Sequence, residues 1–290
     1  RVRIVNAASG RKWRPSKSRL RQYDADTLKY KSIDMKRLIL FVLLACLAGG
    51  GEASARRRAS RTCNLVFIGN SITEGALHAD KAKTAPPVFA AEYVGRMLGA
   101  DVNYRNCGRS GATTVDFLPA READFKRVEQ AVGELQAISY EPIVFSIMLG
   151  TNDSASSGPL GAPVSNDDYK RNLLTIIGRL REMCPDAIFV LQRPIWYSPN
   201  TYNGAMYLVA GQKRLLGYAN VLIDLVDNND DIYLGDFKSF EYFRANYRKL
   251  CFPENGNAGV FYLHPNEEGA RKLAKRWARA IVRAVEARNR

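Results

Sequence analysis

Leu65-Val66-Phe67-Ile68-Gly69-Asn70-Ser71-Ile72-Thr73-Glu74-Gly75 is the stretch from which the rest of the chain is read. Its first four residues are continuously apolar, β-branched or aromatic, which predicts a fully buried strand. The strand stops at Gly69, and a serine follows two residues later. A serine in the turn after a central strand is where α/β hydrolases expose a nucleophile, although the pentapeptide usual there, G-x-S-x-G, is absent. Short Gly/Ser turns after strands are more often structural than catalytic, so Ser71 needs support from elsewhere in the chain.

Downstream, apolar patterning alternates between strand and helix. Pro87 to Leu98 carries Phe89, Ala90, Tyr93, Val94, Met97 and Leu98 at helical spacing. Asp101 to Asn106 reads as a second strand that runs into Cys107-Gly108-Arg109-Ser110-Gly111. A helix over Ala123 to Leu135 precedes the strongest strand in the chain, Ile143 to Leu149, which ends in Gly150-Thr151-Asn152-Asp153. Ser165 with Asp168 three residues on is a capping-box-like start to an amphipathic helix bearing Tyr169, Leu173, Ile176, Ile177 and Leu180. Ile188 to Leu191 is the fourth strand, followed by Arg193-Pro194-Ile195-Trp196. A helix around Ala205 to Tyr218 and a fifth strand at Val221 to Val226 are expected next. A last helix from about Glu267 places Leu273, Trp277, Ile281 and Val285 on one stripe. Strands alternating with helices of this length imply a parallel sheet covered on both faces, with ligands bound beyond the carboxyl ends of its strands. Ser71, Gly108, Asn152 and Trp196 each follow a different strand and so fall along one edge.

Gly69-Asn70-Ser71-Ile72-Thr73, Asn106-Cys107-Gly108-Arg109-Ser110-Gly111, Gly150-Thr151-Asn152-Asp153 and Leu263-His264-Pro265-Asn266 resemble, in order, four sequence blocks of the SGNH (GDSL-type) hydrolases. Asn70 stands where many members have Asp. The resemblance covers nearly the whole of residues 56–290. It implies a three-layer α/β/α fold of flavodoxin-like type with a five-stranded parallel sheet. It also implies an esterase in which Ser71 is the nucleophile and His264 the base, with Ser71, Gly108 and Asn152 donating to the oxyanion. The chemistry accounts for these residue types: a serine hydroxyl needs a base near neutral pH, and the tetrahedral intermediate needs preorganised donors. Only His78 and His264 are available as base, and His264 occupies the loop before the last helix where the family's base lies.

One family position is missing. An aspartate usually stands three residues before the histidine, and here Phe261 stands there. The chain could then be inactive, work as a Ser71–His264 dyad, or take an acid from elsewhere, Glu254 being the nearest upstream candidate. The expectation is an active dyad, any acid help coming from another loop, because the aspartate is the most dispensable triad member in mutational series. Asp153 reads as a loop-stabilising acceptor. Trp196 and Tyr197, with Tyr202 and Tyr207 beyond, could stack on sugar rings or serve as loop packing. The aromatic stretch from Asp227 to Cys251 could form a substrate subsite or lid, or a satellite hydrophobic cluster. The wording Phe-Ile-Gly-Asn-Ser-Ile-Thr and Tyr-Leu-His-Pro-Asn is similar to that of bacterial carbohydrate O-acetylesterases, including sialate and xylan esterases. A lipase or thioesterase of the family and a catalytically inactive glycan-binding module are the alternatives. No metal or organic cofactor is implied.

The first 55 residues read differently. Residues 1–34 carry Arg and Lys with no apolar periodicity and are expected to lie outside the exported product. Residues 35–55 have a basic start at Met35-Lys36-Arg37, an apolar run from Leu38 to Ala48, and Ala53-Ser54-Ala55, the pattern of a secretory signal peptide. The run is about half of the roughly 20 residues a spanning helix needs. Leu43-Leu44-Ala45-Cys46 also resembles a lipoprotein processing box, which would leave a lipid anchor at Cys46. Residues 1–55 hold 12 Lys and Arg against 4 Asp and Glu, so they account for +8 of the chain's net +14 and residues 56–290 for +6. That near balance argues against a nucleic-acid partner, whose basic footprint would persist in the domain. Residues 56–290 suffice for one sizeable α/β domain. Cys63, Cys107, Cys184 and Cys251 allow three disulfide pairings that sequence does not rank, and buried free thiols are as good a reading. Mass spectrometry of protein from the native host is expected to give a mature start at or near Arg56. A diacylglycerol adduct on Cys46 would favour the lipoprotein route, and a mass retaining residues 1–34 would refute their exclusion.

Overall fold

The computed structural model describes residues 61–290; the expectations for residues 1–34 and 35–55, the start near Arg56 and the anchor at Cys46 fall outside the described residues. In chain order the elements are β1 (Arg61–Gly69), α1 (Ser71–Glu74), α2 (Lys81–Thr84), α3 (Pro86–Leu98), β2 (Ala100–Asn106), α4 (Ala123–Ile138), β3 (Ile143–Met148) and α5 (Asn166–Met183). Then come β4 (Ile188–Leu191), α6 (Leu208–Asp227), β5 (Ile232–Leu234), α7 (Ser239–Leu250), β6 (Cys251–Gly256), β7 (Gly259–Pro265) and α8 (Glu267–Arg288). Five strands form a parallel sheet in the order β2-β1-β3-β4-β5, and β6 and β7 pair as an antiparallel hairpin.

The central strands are mostly apolar because both their faces are covered, with Asn64 and Ser146 as buried polar exceptions. Leu65, Val66, Phe67 and Ile68 are all fully buried, as are the apolar residues of β3 and β4. Phe67 stacks on Trp277 of α8, and Phe145 on Phe189 across β3 and β4. The helices pack on the sheet, α8 lying against α3 and over β3 to β5, and α4 lying over β1 and β2. The α/β fold with a five-stranded parallel sheet expected from the sequence is what forms. The sheet order reverses between β1 and β3, which is where such folds open a crevice for ligands. Ser165 caps α5 as the sequence predicts, its Oγ accepting from the Asp168 N–H at 3.1 Å.

One element departs from expectation. Val221 to Val226 is the C-terminal third of α6, and the fifth strand is Ile232–Leu234. A short apolar run does not by itself separate strand from helix. Here the buried residues Leu215, Tyr218, Leu222 and Leu225 keep helical spacing through the segment, while Ile223 faces outward. Among the described residues no helix is long and apolar enough to cross a membrane. Among the described residues Cys63, Cys107, Cys184 and Cys251 are all free and buried.

Loops at the carboxyl edge of the sheet are tied to one another by buried polar groups. Asp153, after β3, is fully buried; its Oδ1 accepts from the Thr114 N–H at 2.9 Å and the Thr114 hydroxyl at 2.5 Å. Asn172 of α5 donates to the same hydroxyl at 2.9 Å. Asp153 is thus the loop-stabilising acceptor the sequence suggests. Its Oδ2 has no partner among the described residues, and burial pushes the carboxyl up to about 6 against the lowering effect of the Thr114 hydrogen bonds. The native state therefore holds this proton more tightly than the unfolded chain. The associated stability is complete below the ordinary carboxylate range and is lost as pH rises through about 6. Asp153→Asn keeps an acceptor for Thr114 and never ionises. Melting temperatures of both proteins at pH 5 and pH 8 are expected to show the variant gaining on the wild type at the higher pH, by a difference on the order of 1 kcal/mol, because at pH 5 the unfolded carboxyl is already ionised.

Candidate active site

Ser71 opens α1 at the end of β1. Asn70 caps the turn, its Oδ1 accepting from the Ile72 N–H at 3.0 Å, and Gly75 closes it at φ 87°. Gly69 is required here by space, since a Cβ would lie 2.0 Å from the Thr73 hydroxyl oxygen. The hydroxyl of Ser71 is 2.8 Å from His264 Nε2. Ser71 is 8% exposed and His264 7%, so the pair is screened but not sealed.

His264 reaches this position from the far end of the chain because β7 lies against α1 and leads directly into α8. Asn266, two residues on, caps α8 through its Oδ1 and the Gly269 N–H at 3.0 Å. It also fastens the loop to the end of α7, donating from its backbone to Leu250 O at 2.9 Å and from Nδ2 to Lys249 O at 2.8 Å. His78 is elsewhere engaged. Its Nε2 meets Pro265 O at 3.1 Å and its Nδ1 the Thr84 hydroxyl at 2.9 Å, so it buttresses the loop that carries His264.

The other nitrogen of His264 has a carboxylate against it. Both oxygens of Glu254 lie 2.9 Å from Nδ1, and Oε1 also accepts the backbone N–H of His264 at 3.1 Å. The dyad expected from the sequence is therefore replaced in the structure by a serine–imidazole–carboxylate chain. Its physical origin is the hairpin: Glu254 on β6 pairs directly with Phe261 on β7. Directly paired residues of antiparallel strands project from the same face, so the carboxylate stands one strand across from the position where the family carries its aspartate. Phe261 is 1% exposed and fills the core.

Gly108 and Asn152 complete the edge. The loop carrying Gly108 runs on from β2, with the Arg109 N–H on Gly69 O at 3.1 Å, and packs so closely on α1 that a Cβ at Gly108 would lie 2.3 Å from the Glu74 nitrogen. The Gly108 N–H donates to Asn106 Oδ1 at 2.9 Å, and Asn106 Nδ2 donates to Thr73 O at 3.0 Å. The backbone donor that the resemblance assigns to the oxyanion is thus engaged inside the turn. Asn152 is 3% exposed; its Nδ2 donates to Ala112 O at 2.8 Å and its Oδ1 accepts from the Tyr207 hydroxyl at 2.6 Å.

Trp196 and Tyr197 do not present ring faces to a sugar. Tyr197 is fully buried, its hydroxyl 2.9 Å from the Ser154 hydroxyl and its ring against Tyr207. Trp196 is 8% exposed and packs on Tyr247 at 5.1 Å between centroids. These are packing residues behind the site. The segment from Asp227 to Cys251 likewise contributes α7, whose Phe240 and Phe243 join the core. Sequence reasoning missed Tyr207 as a partner of Asn152; nothing in its local pattern signals that contact. Among the described residues no group of three or more His, Cys, Asp or Glu is placed to hold a metal ion.

Chemically, a hydroxyl on one imidazole nitrogen and a carboxylate on the other allow proton removal from Ser71 with the resulting imidazolium stabilised. A family model described as GDSL-like lipase/acylhydrolase matches residues 67–272, which include Ser71, Gly108, Asn152, Glu254 and His264. No curated protein matches the chain. Among solved structures, an acetylxylan esterase from Geobacillus stearothermophilus is similar at 19% identity, covering 77% of this chain and 95% of its own, with a TM-score of 0.54. An α/β hydrolase from the metagenome of Lake Arreo, Spain, is similar at 20% identity over 77% of this chain and 96% of its own, TM-score 0.53. A two-domain esterase active on acetylated mannans is 18% identical over 80% of this chain and 51% of its own, TM-score 0.51. At such identities these likenesses speak for the fold.

Glu254→Gln is expected to lower turnover of an activated acetyl ester on the order of 10⁴-fold, as losing the triad acid does elsewhere, and His264→Ala to lower it further. Phe261→Asp would place a carboxylate in the core. Its expected outcome is a lower melting temperature with no gain in turnover. Full activity in Glu254→Gln would restore the dyad.

Proposed function

The chain belongs to the GDSL-like lipase/acylhydrolase family and is a carboxylic ester hydrolase; from that premise we propose that it removes short acyl groups, acetyl above all, from carbohydrate. The observation that carries the reading is the 2.8 Å contact between Ser71 Oγ and His264 Nε2, continued by Glu254 at 2.9 Å on Nδ1. In this reading Ser71 Oγ attacks the ester carbonyl carbon while His264 Nε2 takes its proton, and Glu254 stabilises the imidazolium. The oxyanion is held by the Ser71 N–H and the remaining Nδ2–H of Asn152. Gly108 admits the close approach of its loop, and its own N–H reaches the oxyanion only by leaving Asn106. Collapse of the intermediate breaks the bond to the alcohol oxygen, which takes the proton from His264. Water then attacks the acyl-serine with His264 again as base, releasing the acid and free Ser71.

The carbohydrate and acetyl parts of the proposal are supported by the sequence resemblance and by the solved relatives, two of which are described as acting on acetylated xylan and mannan. Export, with a mature start near Arg56 and a periplasmic, secreted or cell-surface location, belongs to the same proposal and rests on the leader-like residues 35–55.

On p-nitrophenyl acetate, Ser71→Ala is expected to fold yet leave only residual rate, and Asn152→Ala to lose about 100- to 1,000-fold in turnover. Acetate release from acetylated xylan, mannan and sialate identifies the glycan. A preference for long acyl chains would move the reading to a lipase or thioesterase. Wild-type turnover in Ser71→Ala would end it, and glycan retention without turnover would leave a binding module.

A further inference from the structure

Tyr207 is the residue immediately before α6, and its ring is 4% exposed. The loop that carries it is tied to the one following Asn152: the Ser156 N–H donates to Met206 O at 2.6 Å and the Met206 N–H to Ser157 O at 3.0 Å. The Tyr207 and Leu208 N–H groups both converge on Thr201 O, at 3.2 and 3.3 Å. Tyr197 packs against the ring edge to face at 5.3 Å. The phenol is therefore delivered to Asn152 by a rigid frame.

What it does there follows from counting the hydrogens of one amide. Asn152 has two N–H donors and one carbonyl oxygen. Ala112 O takes one N–H at 2.8 Å and the Tyr207 hydroxyl occupies Oδ1 at 2.6 Å, so a single N–H is left over. Turning the amide over would set Oδ1 against the carbonyl of Ala112, acceptor against acceptor, and would deprive the Tyr207 hydroxyl of its acceptor. The two contacts thus fix both the rotation and the sense of the side chain. A donor on the carbonyl oxygen also polarises the amide and strengthens donation from its nitrogen. Burial foremost, with the charges of Glu254 and Asp153, holds the phenol above its usual range, so the hydroxyl keeps its proton wherever the enzyme works.

We propose that Tyr207 is a positioning residue of the oxyanion hole, orienting Asn152 so that its remaining N–H meets the carbonyl oxygen of the ester attacked by Ser71. The inference rests on the proposed roles of Ser71 and Asn152 and adds a residue outside the four sequence blocks. Because the contact acts on a group used chiefly in the transition state, its removal lowers kcat and leaves KM nearly unchanged.

The test is a double-mutant cycle on p-nitrophenyl acetate with Tyr207→Phe, Asn152→Ala and the double variant, melting temperatures being recorded for each. Tyr207→Phe removes one oxygen and retains the ring on Tyr197. The expected result is a fall in kcat of about tenfold in Tyr207→Phe, with no further fall when it is added to Asn152→Ala. An unchanged kcat in Tyr207→Phe, or the same fractional loss with and without Asn152, overturns the proposal. A loss seen only as a lower melting temperature does so as well. Failure of the underlying reading looks different: Ser71→Ala then keeps wild-type turnover, which overturns both. If Ser71→Ala is inactive while Tyr207→Phe is unimpaired, the positioning role alone falls.

Discussion

The imidazole of His264 has to be held at both nitrogens at once, and most of the site's architecture answers that requirement. One nitrogen must face a hydroxyl at the end of a parallel strand, and the other needs an acceptor that fixes the tautomer and offsets the charge of the imidazolium. No single element can supply both. Ser71 comes with the sheet, whereas Glu254 comes with the β6–β7 hairpin, an addition to the sheet rather than a member of it. The backbone N–H of His264 donates to the same carboxylate as its ring. The acid and the base are thus fixed to each other before either meets the serine. His78 and Asn266 then hold the loop in place against α2 and the end of α7.

A second constraint is the closeness of the three loops at the sheet edge. An oxyanion hole works only if its donors are already in place, because reorganising them during the reaction would consume the gain. The loop after β2 lies against α1 at a distance only glycine tolerates at position 108, although the Gly108 N–H itself is taken by Asn106. The loop after β3 is tied to it through Asp153 and Thr114, and through Asn152 and Ala112. The cost is a fully buried carboxylate at Asp153 with one oxygen unpartnered among the described residues.

Much of this was legible in the chain itself. Strands β1, β3 and β4 announce themselves as apolar runs because burial on both faces removes any need for polar alternation. Ser71, Gly108 and Asn152 could be placed along one edge because each follows a recognisable strand, and His264 because it stands just before a recognisable helix. What failed did so for identifiable reasons. Val221 to Val226 is as apolar as a strand, and its helical burial pattern becomes evident only when Leu215 and Tyr218 are counted with it. The aromatic pair Trp196 and Tyr197 looks the same in sequence whether it faces a ligand or the core. The hairpin was invisible because Pro253, Glu254, Asn255 and Gly256 have poor strand propensity, and it is stabilised by docking, with the Asn257 N–H on Tyr202 O at 2.8 Å.

The missing aspartate shows why spacing and geometry have to be kept apart. A motif of an acid three residues before a histidine describes one way of bringing a carboxylate to Nδ1; the chemistry asks only that a carboxylate arrive there. In an antiparallel pair, the residue opposite a given position has its Cβ roughly 5 Å away on the same face. An acid can cross the ladder to that position and still reach the ring, since glutamate is one methylene longer than aspartate. Once Glu254 supplies the charge, position 261 is released from catalysis and is free to become a core phenylalanine, with 1% of its surface exposed. Glu254 and Phe261 are seven residues apart in sequence and directly paired in space. With a carboxylate from the paired strand already 2.9 Å from Nδ1, Phe261 at that position does not by itself mark a dead enzyme.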